Sequence, residues 1–96
     1  MNFEFDPAKS VANQAKHGID FKQAQELWHD PDRAVLPAIS LDEPRHLMLA
    51  RLRGKVWAAI FTERGERIRL ISGRRARKNE ENIYEQTQSE DNGGES

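Results

Sequence analysis

The chain has 96 residues, no cysteine, and 15 basic against 16 acidic side chains, a formal net charge of -1. One domain is expected at this length, and the missing cysteine excludes disulfide scaffolds, cysteine-ligated zinc, iron–sulfur clusters and thiol nucleophiles. No apolar run reaches the roughly 18–20 residues of a membrane helix and Met1-Asn2-Phe3-Glu4 lacks the basic-then-apolar order of a signal peptide, so the expectation is a soluble, cytoplasmic protein with no membrane partner.

Phe3 and Phe5 alternate with Asn2, Glu4 and Asp6, which predicts a short first strand. Asp6-Pro7 then marks a helix start, Asp as N-cap and Pro at the first helical position, where no intrahelical amide bond is lost. Ala8, Val11, Ala12 and Ala15 form an apolar stripe, with Lys9, Asn13, Lys16 and His17 on the other side; Gly18 is the expected left-handed C-cap of a helix over 7–17. Asp20 caps a second helix, with Phe21, Ala24, Leu27 and Trp28 on one face, and Asp30-Pro31 stops it. The two helices form a hairpin that needs a sheet to cover its apolar faces.

Ala34-Val35-Leu36, extending toward Ile39, reads as a strand, with Pro37 pointing to an edge position. Three further strands are predicted over 45–53, 55–62 and 67–74, joined by tight turns at Gly54 and at Arg64-Gly65-Glu66 into sequential antiparallel hairpins. Strict alternation along the last strand sets Ile68, Leu70 and Ser72 on one face and Arg67, Arg69 and Ile71 on the other. Residues 76–86 predict a thinly apolar helix carrying Ala76, Ile83 and Tyr84, and 87–96 a disordered acidic tail. The fold class is α+β, a single domain over 1–86: a short N-terminal strand and a two-helix hairpin on a small antiparallel sheet, plus a C-terminal helix.

The balanced charge is segregated. Residues 1–44 carry 4 basic and 8 acidic side chains, 45–78 carry 11 and 2, and 79–96 carry none and 6, so the middle third is a cation of +9 between acidic flanks. Nine of its eleven basic residues are Arg, whose planar donor fork grips phosphate. Such side chains also decorate ordinary solvent faces, and the constellations below each have a structural reading beside the functional one. His17 with Lys16 and Lys9 suits either a helix C-terminus, where a cation meets the dipole, or proton transfer beside a phosphate. Glu63 to Arg69 is either a solvated turn or a site where Arg64 and Arg69 neutralise a pentacoordinate phosphate. Arg74, Arg75, Arg77 and Lys78 gather where the last strand meets the last helix. The two Arg groups lie about 15–25 Å apart along one strand, a span suited to single-stranded nucleic acid. Three dispersed histidines without metal spacing, and no phosphate loop, give no expectation of a metal or cofactor.

Phe3-Glu4-Phe5-Asp6-Pro7-Ala8-Lys9, Asn13, Lys16-His17-Gly18-Ile19, Phe21 and Asp30-Pro31 resemble the N-terminal half of the BrnT family of type II toxins. Arg45, Phe61-Thr62-Glu63-Arg64-Gly65, Arg67 through Ala76, Glu80 and Tyr84-Glu85 agree with its second half. The family pattern usually has Asp-Asp-Pro and Ser-Ala-Arg where this chain has His29-Asp30-Pro31 and Ser72-Gly73-Arg74. The resemblance implies a RelE-like fold and an endoribonuclease that cleaves RNA without a metal and stops growth. It also implies a BrnA-type ribbon-helix-helix antitoxin as partner, a hetero-oligomer built on the antitoxin dimer, and operator DNA reached only through that antitoxin. Carried onto this chain, it favours Arg64, Arg69 and Arg74 as phosphate stabilisers, Glu63, His17 or Lys16 as base, Tyr84 as acid, and Lys9, Asn13, Arg75 and Arg77 as RNA contacts. For Asn13 and Glu80, structural hydrogen bonding or an ion pair to the arginines is the favoured role. The alternative function is a non-catalytic module whose basic sheet binds RNA or an acidic protein. A transcription factor is disfavoured, because no recognition helix is evident.

Overall fold

The structure, a computed structural model, describes residues 2–38 and 43–93. Five strands, β1 (Asn2–Glu4), β2 (Ala34–Ala38), β3 (Arg45–Leu52), β4 (Lys55–Arg64) and β5 (Arg67–Arg75), form one sheet in the order β1-β5-β4-β3-β2. The β2 to β5 meander is antiparallel as predicted, but β1 lies parallel to β5, so the sheet is mixed. Arg53 and Gly54 both take positive φ (52° and 78°), the pattern of a type I′ hairpin, and Gly65 (61°) opens the β4–β5 turn. Pro37 lies on the edge strand β2, where a missing amide costs no ladder bond.

Helices cover both faces. On one lie α1 (Pro7–His17), α2 (Phe21–Ala24) and the 3₁₀ segment Gln25–His29; Phe21, Ala24 and Leu27 pack there on Met48, Ala50, Ala59, Phe61 and Leu70. On the other, α3 (Lys78–Gly93) packs Tyr84 and Ile83 on Ala34, Leu49, Val56 and Ala58. The caps read from sequence are present. Asp6 accepts from the Ala8 amide at 2.9 Å, Gly18 (φ 81°) ends α1, and Asp20 with Gln23 makes a reciprocal capping box.

Three expectations need correction. The stripe of α1 faces outward: Ala8, Ala12 and Ala15 are exposed and Val11 is 71% exposed, while Ser10 and Asn13 are buried. The reason is polar. Because β1 pairs only with Arg67, Ile68 and Arg69, the outer edge of β5 beyond them has no strand neighbour, and Asn13 takes its place. Its amide nitrogen donates to Gly73 O (2.8 Å) and Ile19 O (2.7 Å), and its oxygen accepts from Gly73 N–H. Ser10 Oγ accepts from the Phe21 amide in the same seam.

Alternation along β5 is also broken. Ile60 pairs with Ser72 and Phe61 with Leu70, leaving Ile71 as a bulge that shifts the register by one residue. The last helix starts at Lys78 and continues past Gln86 to Gly93, into the segment expected to be a tail. Glu80 anchors its first turn by accepting from the Arg77 amide at 2.7 Å. Residues 94–96 and Ile39 lie outside the described residues.

Candidate active site

The bulge assembles the arginines. Cross-strand partners share a face, and β5 pairs Arg67 with Arg64, Arg69 with Thr62, Ser72 with Ile60 and Arg74 with Ala58. Without the extra residue, Arg74 would stand on the face of Leu70. With it, Arg64, Arg67, Arg69 and Arg74 all stand on the α3 face, and the β3–β4 register adds Arg45 beside them. The helix α3 occupies the half of this face around Ala58, Val56 and Leu49, and the half around Thr62 is the cationic one.

Carboxylates orient most of this group. Glu4 on β1 meets Arg69 at 2.9 Å, Glu43 meets Arg64 at 3.5 Å, and Glu80 holds Arg74 through two bonds of 2.8 and 2.9 Å. The bidentate bond to Arg74 is the main reason the Glu80 carboxyl sits below the usual glutamate range, against an opposing effect of burial. The same bond raises the Arg74 guanidinium above its ordinary value. Arg67 is exposed and forms no ion pair among the described residues.

At the same end of the sheet, on the α1–α2 face, His46 Nε2 lies 3.3 Å from Glu63 Oε1. The imidazole stacks on Phe61 at 5.2 Å between ring centroids, which fixes its plane, and is 32% exposed against 65% for Glu63. A ring that both gives and accepts protons, held against a carboxylate and open to solvent, is a competent general acid–base pair. His46 has no supporting spacing in the linear sequence. The available signal is register: a two-residue turn at Arg53-Gly54 pairs Leu52 with Lys55, and counting back sets His46 opposite Phe61, beside Glu63.

Other expected site residues lie elsewhere. Glu63 pairs with Ile68, so it stands on the opposite face from Arg64 and Arg69 although adjacent in sequence. Lys9, Lys16 and His17 belong to α1, and Arg75 stacks over Trp57 at 5.6 Å; all four are on the α1–α2 side, away from the arginine group. Arg77 is exposed where α3 begins. Asn13 is 7% exposed, and both amide donors serve main-chain carbonyls.

Tyr84 is the clearest correction. It is 1% exposed in the apolar half, with its hydroxyl donating to Asp30 Oδ2 at 2.6 Å. Burial first, then the Asp30 hydrogen bond and charge, push the phenol up to about 12, making it a poorer acid. The Leu49–Ala58 row against which it packs is four residues along β4 from Thr62, about 13 Å from the Arg69 row. Burial raises the Asp30 carboxyl, but Tyr84, the Arg51 and Asp32 amides and the Arg51 charge outweigh it and hold the group below the usual aspartate range.

Among the described residues no cluster of His, Asp and Glu has the arrangement of a metal site, and no helix is long and apolar enough to cross a membrane. A family model described as a ribonuclease toxin, BrnT, of a type II toxin–antitoxin system matches residues 5–80. No curated protein matches the chain.

Proposed function

Because the chain belongs to the BrnT family of type II toxin–antitoxin ribonuclease toxins, we propose that it cleaves RNA in the cytoplasm at the end of the sheet where β4 turns into β5. The observation that carries this reading is that one end of the sheet holds the His46–Glu63 pair on its α1–α2 face and Arg64, Arg67 and Arg69 on its α3 face.

The chemistry is attack of the substrate's own 2′-oxygen on the adjacent phosphorus. The His46–Glu63 pair accepts the 2′-hydroxyl proton, and the protonated imidazole returns a proton to the departing 5′-oxygen. Arg64, Arg67 and Arg69, on the α3 face of the same sheet end, hold the neighbouring phosphates of the RNA strand as it passes round the hairpin. No step requires a metal. Arg74, held by Glu80, supports the strand end and contributes longer-range positive charge. The partner is a cognate antitoxin, which we take to be of the ribbon-helix-helix BrnA type, and toxicity follows from loss of translated RNA.

The test is cleavage of naked RNA by the purified chain in EDTA. His46→Ala and Glu63→Gln are expected to lower the rate at least a hundredfold, and Arg69→Ala to weaken RNA binding, with melting temperatures measured alongside because Arg69 also holds Glu4 and His46 stacks on Phe61. Retention of RNA without cleavage by the unaltered chain would favour a binding module instead.

A further inference from the structure

The outer edge of the sheet at β1 holds two adjoining hollows that the reaction above leaves unused, one on the α1–α2 face and one reaching round β1 to Asn2 and Arg67. One, of about 430 Å³, is bordered by Phe3, Lys22, Gln25, Trp28 and His29; the next, of about 480 Å³, by Asn2, Phe3, Gln25 and Arg67. Phe3 and Gln25 belong to both, so the two form one groove around β1. Phe3 and Trp28 are half-buried and meet edge to face at 4.9 Å. The floor is aromatic, while the rim carries amides and cations; its one carboxylate, Glu26, faces Arg53 at 3.8 Å.

We propose that this groove is a nucleobase subsite, receiving an unpaired RNA base next to the cleaved phosphate; the inference rests on the ribonuclease reading above. Three observations converge on it. First, an aromatic floor with a polar, cationic rim suits a base and its phosphate, whereas an apolar protein segment would leave the Lys22, Gln25 and Arg67 groups unpaired. Second, Arg67 lines the groove and also stands in the arginine row, so one guanidinium borders both sites. Third, register aligns Phe3 with Ile68 and Ile68 with Glu63 in one row on one face. Two strand spacings, about 10 Å, thus separate the groove from the proton-transfer pair. The aromatic contacts run the same way, from Phe3 to Trp28, Phe61 and His46. The Gln25 and Asn2 amides, which both donate and accept, are the groups able to choose between bases.

The test uses the full chain with Trp57→Phe, so that Trp28 is the only tryptophan, and three probes: octamers of uridylate, of adenylate, and of abasic ribose phosphate. Trp28 emission should be quenched by the octamers that carry bases and not by the abasic strand. Gln25→Ala, which does not fill the core, should weaken the base-carrying strands about tenfold and leave the abasic strand unchanged, whereas Lys22→Ala, which removes a phosphate-facing charge, should weaken all three. Arg69→Ala should weaken all three. Equal affinity for abasic and base-carrying strands, or an unresponsive Trp28, overturns the subsite while cleavage at the hairpin end stands. Absence of both binding and cleavage overturns the ribonuclease reading together with it.

Discussion

Asn13 does for the outer edge of β5 what a longer β1 would do: it offers one acceptor and two donors to main-chain groups that have no strand beside them. Asn13→Ala therefore leaves the Gly73 amide and carbonyl and the Ile19 carbonyl without partners in a buried seam. At about 1–3 kcal/mol for a buried unsatisfied group, the expected loss is at least about 3 kcal/mol, read as a lower midpoint in urea unfolding. Gly73 predicts the opposite sign. A Cβ there would meet Ile19 Cγ2 at 3.5 Å and Asn13 Nδ2 at 3.6 Å, ordinary contact distances, and its φ is not positive. Gly73→Ala should be neutral or stabilise by about 0.5 kcal/mol through a less flexible unfolded chain. A destabilisation above about 1 kcal/mol in the same unfolding experiment would show that the seam cannot accept a methyl group.

Elements were legible in this sequence wherever a local rule fixed them. Asp6, Gly18 and Asp20 mark helix ends because caps act over three or four residues, and Gly54 and Gly65 mark hairpins because only positive φ closes such turns. What a face does is not local. Apolar spacing in α1 pointed the wrong side inward because the seam needed hydrogen bonds more than methyl groups. The β5 bulge left no trace in the alternation, Gly73 being the sole hint of irregularity. The site was accordingly half readable: the arginines by charge, the His46 pair only once hairpin register is counted. Tyr84 shows what an isolated motif residue conceals, since its hydroxyl ties α3 to Asp30, which also accepts from the Arg51 amide of β3. The raised phenol means that the folded state holds this proton more tightly than the unfolded chain. Its stabilisation is complete below pH 10 and lost as pH rises toward 12, amounting to about 2–3 kcal/mol. Tyr84→Phe should be less stable at neutral pH and should lack this decline, so the difference between the two unfolding profiles narrows from pH 10 to 12.

Across the whole molecule, the sheet divides its work by end. Asp30, Tyr84 and Arg51 secure one end beneath α3, while Arg64, Arg67, Arg69 and the His46–Glu63 pair occupy the other. The net charge of -1 predicts no general attraction for RNA, since the acidic residues on both flanks of the cationic middle together offset it. Binding must then come from close contacts by a few arginines, and counting them is an experiment in salt. For single strands, the logarithm of affinity falls with the logarithm of salt by about 0.7 for each phosphate neutralised. Arg67→Ala and Arg69→Ala should each lower that slope by about 0.7 between roughly 50 and 200 mM salt, measured with the uridylate octamer. Arg33→Ala, exposed beside Asp30 at the opposite end of the sheet, should leave the slope unchanged, because a charge well removed from the strand is screened and releases no counterion from it. An equal change at Arg33 would mean that RNA runs toward the Asp30 end of the sheet, and an unchanged slope at both arginines would remove them from the contact altogether.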